Sequence, residues 1–161
     1  MNLRPYQLSL VDRILASDKR RSAMVLPTGG GKTAIMAEVI RRWPGPAVFL
    51  CDRQELADQA LAHFGPSAGL MIGGEHRPGN PTVCGVFTAV RRAPVPGATL
   101  VLVDECHLAA ARTWRTVIDF YPEARVLGAT ATLYRYGGGS LAALFDEALA
   151  GPSVPHLIRD G

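Results

Sequence analysis

The chain has little that could hold it together covalently. Three cysteines in 161 residues, Cys51, Cys84 and Cys106, lie far apart, form no CxxC pair and are odd in number. That excludes a disulfide framework and a zinc knuckle and fits a reducing compartment. Long apolar runs are missing as well. Nothing approaches the ~18 residues of a membrane span, and the opening "MNLRPYQLSL" lacks the basic-then-apolar build of a signal peptide. The expected location is therefore the cytoplasm, without a membrane partner. Charge of one sign is also scarce. The net charge of +3 and pI near 9.0 permit a polyanionic partner but are too mild to demonstrate one. No repeat of fixed period and no low-complexity segment occurs. What is present is 48% hydrophobic residues at low net charge, enough for an ordinary core and incompatible with disorder, at a length that suits one domain over 1–161.

Pro5 suits the first turn of a helix, and Gln7, Leu10, Val11 and Ile14 then share one face, so a helix is expected to about Ser17. Beyond it one pattern recurs: a short apolar run, a polar or glycine-rich turn, then often a helix. Strands are expected at Ala23–Leu26, Ala47–Cys51, Gly69–Ile72, Thr82–Phe87, Leu100–Val103 and Arg125–Gly128, and helices at Ala34–Arg42, Gln54–Phe64 and Ala109–Phe120. Runs such as "TLVLVDE" are continuously apolar rather than alternating, as strands covered on both faces require. The expected class is α/β, a mostly parallel sheet flanked by helices. "YGGGS", from Tyr136 to Ser140, reads as the most flexible loop.

Two stretches carry chemistry. In "VLPTGGGKTAIM", Val25 to Met36, Thr28, Gly29, Gly30, Gly31, Lys32 and Thr33 follow an apolar run and lead into a helix. In such a loop glycines let backbone N–H groups approach phosphates, the lysine neutralises their charge, and the hydroxyl helps to hold Mg²⁺. The strict G-x-x-x-x-G-K-[ST] spacing fails at its first position, which falls on Leu26. The helix start nevertheless favours anions. In "LVLVDECH", Asp104 and Glu105 close an apolar strand 72 residues after Lys32. Ligands of open α/β sheets gather at such strand ends. One carboxylate there can hold Mg²⁺ through water, and its neighbour can orient or deprotonate an attacking water. Alone, the pair is equally readable as a solvated cap.

In order, "PTGGGKT", "DECH" and "GATAT" resemble motifs I, II and III of superfamily 2 helicases and translocases, the DEAD/DEAH-box-like group, over nearly the whole chain. "LRPYQ" is similar to the adenine-reading element that precedes motif I, "RQELADQ" to motif Ia, and "FTAV" to a later nucleic-acid-contact motif. The resemblance implies a RecA-like P-loop NTPase domain with ATP and Mg²⁺ as cofactors. Gln7 would read adenine; Thr28, Gly29, Gly30, Gly31, Lys32 and Thr33 would hold the triphosphate, and Thr33 and Asp104 its metal. Glu105 would act as base or water-orienter, with Asp104 and Lys32 completing the catalytic set. His107 would couple that site to its surroundings, Thr130 and Thr132 would link it to bound nucleic acid, and Arg53, Gln59 and Thr88 would contact the phosphate backbone. Arg53 and Gln59 are equally readable as solvated surface residues. His63, His76 and His156 show no ligand spacing. The pairs Arg41/Arg42 and Arg91/Arg92 are solvated faces by default, the second better placed for DNA because it follows Thr88.

Leu133 stands where many relatives have proline, although Arg135 matches a common arginine. The Q-x-x-G-R-x-x-R-like motif of a second RecA-like domain is missing, and "GPSVPHLIRDG", 151–161, resembles the connector that enters one. An arginine finger is worth about 10³–10⁵ in rate in related chemistry, so little hydrolysis is expected without that domain. Two functions stay open: the ATP-binding motor domain of a DExH-type helicase or translocase, acting on DNA rather than RNA by analogy, or a nucleic-acid- or partner-binding module with a vestigial P-loop. A GTPase is excluded by the missing N-K-x-D guanine reader.

Overall fold

A computed structural model describes residues 3–92, 95–106, 112–131 and 144–153. The expected elements form almost as spaced: α1 (Pro5–Ala16), β1 (Arg21–Val25), α2 (Lys32–Arg42), β2 (Ala47–Cys51), α3 (Gln54–Phe64) and β3 (Gly69–Ile72), then β4 (Glu75–Arg77), β5 (Thr82–Gly85), α4 (Val86–Ala89), β6 (Leu100–Val103), α5 (Arg112–Asp119), β7 (Arg125–Thr130) and β8 (Glu147–Ala150). Among the described residues no helix is long and apolar enough to cross a membrane.

The strands form one sheet in the order β4-β3-β5-β2-β6-β7-β1-β8, and only β4 runs antiparallel to its neighbour. Strand side chains alternate between faces, and here both faces are covered. In β2, Ala47, Phe49 and Cys51 join the core beneath α1, α2 and α3, while Val48 and Leu50 join the core with α4 and α5. Leu100 and Leu102 of β6 go to the first core, Val101 and Val103 to the second. This partition is the physical origin of the continuously apolar runs. Full burial of each such side chain is worth about 1.5–3 kcal/mol, and truncating the fully buried Leu102 to alanine would cost about 2–5 kcal/mol.

β1 starts two residues earlier than expected and ends at Val25, α2 starts at Lys32 rather than Ala34, and other elements depart from expectation as well. The strand from Thr82 ends at Gly85, where α4 begins and turns Phe87 outward. β7 extends past Gly128 to Thr130. β4 was not expected: its three residues, Glu75, His76 and Arg77, are all exposed and carry no apolar signal, as suits a charged edge strand. β8 was missed because "EALA" has helical composition. Tertiary bonds override that propensity. Glu147 Oε1 accepts from the hydroxyls of Ser17 and Ser22, Arg13 donates to the Ala150 carbonyl at 3.0 Å, and Gly151 N–H donates to the Val25 carbonyl at 2.9 Å. β8 thereby fastens the chain along β1, the strand that feeds the glycine loop.

Candidate nucleotide site and nucleic-acid face

Because the strands run parallel, β1, β7, β6 and β2 end on one edge of the sheet, and the residues singled out for chemistry follow those ends. β1 gives way to the loop 26–31. Its first residue, Leu26, donates its N–H to the Thr130 carbonyl at 3.0 Å, so the end of β7 is bonded to the start of the loop. Gly29 and Gly31 have φ of +80° and +81°, the left-handed region that side chains disfavour. A Cβ on Gly31 would also run into the Gln7 carboxamide. Leu26, which breaks the strict loop spacing, is fully buried, and Gly30 lies over it so closely that a Cβ there would stand 2.6 Å from Leu26 Cγ. The apolar residue thus serves as the floor of the loop.

The loop is held from α1. Gln7 Nε2 donates to the Gly30 carbonyl at 3.1 Å and Tyr6 OH donates to the same oxygen at 3.0 Å, while Gln7 Oε1 accepts from Arg4 N–H at 2.8 Å. One donor and one lone pair of the Gln7 carboxamide are left over for other partners. Gly31 opens α2 with no side-chain cap and no acidic residue in the first turn. The first-turn N–H groups and the positive end of the helix dipole suit an anion at this position. Lys32 Nζ donates to the Leu26 carbonyl at 3.3 Å across the mouth of the loop, with Thr33 next to it in the same turn.

Asp104 follows β6 directly. Burial pushes its carboxyl above the usual carboxylate range, the Glu105 backbone N–H donated to Oδ1 at 3.0 Å opposes this, the Glu105 charge adds to the rise, the Lys32 charge opposes it and Asp52 adds to it. The charges of Lys32 and Glu105 thus act on Asp104 in opposite directions. Glu105 takes φ +48°, an uncommon conformation for a residue with a side chain. The donor set fits a hydrated Mg²⁺. That ion prefers one or two carboxylates with phosphate oxygens and water to an all-protein cage, and no group of three or more His, Cys, Asp or Glu able to hold a metal ion occurs among the described residues.

Gln7, Gly29, Gly30, Gly31, Lys32, Thr33, Asp104, Glu105 and Thr130 thus share one edge, with Thr28 in the same loop; His107 and Thr132 lie outside the described residues. Arg53 and Thr88 lie farther along that edge, and Gln59 lies in the middle of α3. Cys51 of β2 and Gly85 of β5 are register partners, so Arg53 and Phe87, each two residues on, stand on adjoining strand ends. Arg53 caps α3 and is largely exposed, its Nε 3.7 Å from Asp52; Gln59 is exposed on α3; Thr88 Oγ1 accepts from Gly73 N–H at 2.8 Å. Two participants escaped the sequence reading. Tyr6 was overlooked beside Gln7. Asp52 repeats the signal that marked Asp104, a carboxylate at the end of an apolar strand, and could have been found by it.

The family model for the type III restriction enzyme res subunit matches residues 1–78 and 89–135. The chain belongs to this family. A Schizosaccharomyces pombe protein named as a mitochondrial ATP-dependent helicase, irc3, is 30% identical over 187 residues, covering 99% of this chain and 31% of that protein. The chain therefore spans about a third of that relative's length. Among solved structures, the UvsW helicase from bacteriophage T4 matches with a TM-score of 0.76 at 21% identity, over 93% of this chain and 60% of that one. The Type ISP restriction-modification enzyme LlaGI, solved with a DNA substrate mimic, matches with a TM-score of 0.76 at 14% identity, over 99% of this chain and 21% of that one. At these identities the structural likeness establishes the fold, which is RecA-like. The family match covers the glycine loop, Asp104 and Glu105, and Thr130, and leaves a gap at 79–88 that includes Thr88 and Phe87.

Proposed function

We propose that this chain is the ATP-binding motor domain of a DExH-type superfamily 2 helicase or translocase that acts on nucleic acid, DNA in preference to RNA, and that requires a second RecA-like domain for full hydrolysis. The observation that carries this reading is the glycine loop 26–31, with Gly29 and Gly31 in the left-handed region and the Gly30 carbonyl held by Gln7 and Tyr6, on the same strand edge as Asp104 and Glu105. The loop N–H groups and Lys32 would bind the triphosphate, and Thr33 and Asp104 would hold Mg²⁺, which neutralises charge on the phosphate oxygens. Glu105 would take the proton of, or align, the attacking water, and Gln7 would present its remaining amide donor and acceptor to the base.

Thr130 would carry the state of the site to bound nucleic acid through the Leu26 bond, together with His107 and Thr132, while Arg53, Gln59 and Thr88 would touch the strand's phosphates. The restriction-enzyme family and the DNA-bound relative favour DNA. The second domain would be supplied by more of the same polypeptide or by another chain, since the relatives continue well beyond the matched segment. Cys51, Cys84 and Cys106 are buried thiols, each pushed up to about 12 with burial the main cause, which suits the cytoplasm.

The test is steady-state Mg²⁺-ATP hydrolysis with and without single- and double-stranded DNA and RNA, beside Lys32→Ala. Turnover stimulated by DNA and lost in the variant supports the reading. ATP binding without turnover in wild type, lost in the variant, supports it as half of a motor, and measurable turnover that is equal in both proteins contradicts it.

A further inference from the structure

Phe87 and Leu8 are the exposed large hydrophobic residues among those described, and Phe87 is the more exposed, at 59% against 39%. An exposed phenylalanine forgoes much of the stabilisation that burial would supply. Its position is fixed rather than incidental. Val86 and Ala89 of α4 are buried in the second core, which leaves Phe87 facing outward. Gly73 N–H donates to Thr88 Oγ1, tying α4 to the β3–β4 turn, and Gly85 lies so close to Ile72 that a Cβ there would stand 2.7 Å from Ile72 Cγ1.

Arg91 and Arg92 are exposed, and their backbone N–H groups bond to the Thr88 carbonyl, continuing the turn that presents Phe87. Arg53 stands on the adjoining strand end. On the other side the hairpin places Glu75 opposite Ile72. Arg53, which has Asp52 3.7 Å away, and Arg91 and Arg92 thus bring positive charge to the strand end and the turn next to Phe87, and the hairpin on the other side carries Glu75, His76 and Arg77. β5 is four strands from β1, about 19 Å at the usual strand spacing of ~4.8 Å, so this surface is separate from the glycine loop.

We infer that Phe87 is a stacking platform for a base of an unpaired nucleic-acid strand whose phosphates run along Arg53, Arg91 and Arg92. This rests on the proposed nucleic-acid reading and adds recognition of the base face, which duplex geometry hides. Every base offers a π-face, so the contact is indifferent to sequence.

The test is fluorescence anisotropy of 5′-labelled oligothymidylate, an abasic strand of equal length and a hairpin duplex, each against wild type, Phe87→Ala and Phe87→Trp. Loss of the ring should weaken oligothymidylate binding by about 5- to 150-fold. Abasic and duplex binding should be unchanged by Phe87→Ala, and Phe87→Trp should keep affinity with its indole emission quenched on binding. Thermal melting of the variants checks the fold, which an exposed site should leave intact. Wild-type affinity of Phe87→Ala for oligothymidylate, or equal losses on all three probes, would overturn the platform and leave the nucleic-acid reading standing. If wild type binds none of the probes, both fail.

Discussion

The side chain of Gln7 ties the start of α1 to a loop residue 23 positions on from Gln7: Nε2 donates to the Gly30 carbonyl at 3.1 Å while Oε1 accepts the Arg4 N–H at 2.8 Å. The Gly30 oxygen also accepts from Tyr6 OH, so removing either partner leaves it satisfied. Gln7→Ala or Tyr6→Phe alone should therefore cost only about 1 kcal/mol in thermal unfolding. The double variant should lose more than the sum, because the carbonyl is then orphaned. Additive losses would mean that the two bonds do not share the work of holding the loop.

Gly29 and Gly31 separate strain from collision. Both have φ near +80°, so alanine at either should cost about 1–2 kcal/mol of backbone strain. A Cβ at Gly29 meets open space, whereas at Gly31 it meets Gln7. Gly31→Ala should consequently lower the melting temperature further than Gly29→Ala. Equal shifts in the two variants would contradict the packing described for Gln7.

Asp104 should carry a stability cost. Its carboxyl is raised in the folded state, chiefly by burial, so the folded protein holds the proton more tightly than the unfolded chain. The penalty is absent below the ordinary carboxylate range near pH 4, grows as pH rises through the raised folded value, and is complete above it. Asp104→Asn should melt higher than wild type at neutral pH and alike at about pH 3, while losing Mg²⁺-dependent nucleotide affinity. A lower melting temperature at neutral pH would show the charge to be better compensated than burial implies.

Glu105→Gln should retain ATP binding and lose whatever turnover the chain supports, measured as phosphate release with ATP in excess. Unchanged turnover would reduce Glu105 to a strand cap.

The architecture was readable because burial on both faces writes itself into the sequence as continuous apolar runs, and β2, α3, β3 and β6 formed over the residues their spacing predicts. β8 was not legible: it exists through Glu147, Arg13 and Gly151, whose partners lie more than a hundred residues away. The glycine loop and the position of Asp104 and Glu105 at a strand end were legible because glycines or carboxylates directly after an apolar run mark where a strand stops. The anchoring of the loop by Tyr6 and the outward turn of Phe87 depend on tertiary packing that no local pattern encodes.

The most direct test of the account is calorimetric titration of Mg²⁺-ATP into the chain beside Lys32→Ala, with circular dichroism to establish that the variant is folded. We predict saturable binding by the wild-type chain, weakened by omitting Mg²⁺, and none by the folded variant. Equal affinity in the two proteins would contradict the assignment of the loop at 26–33 as the phosphate site.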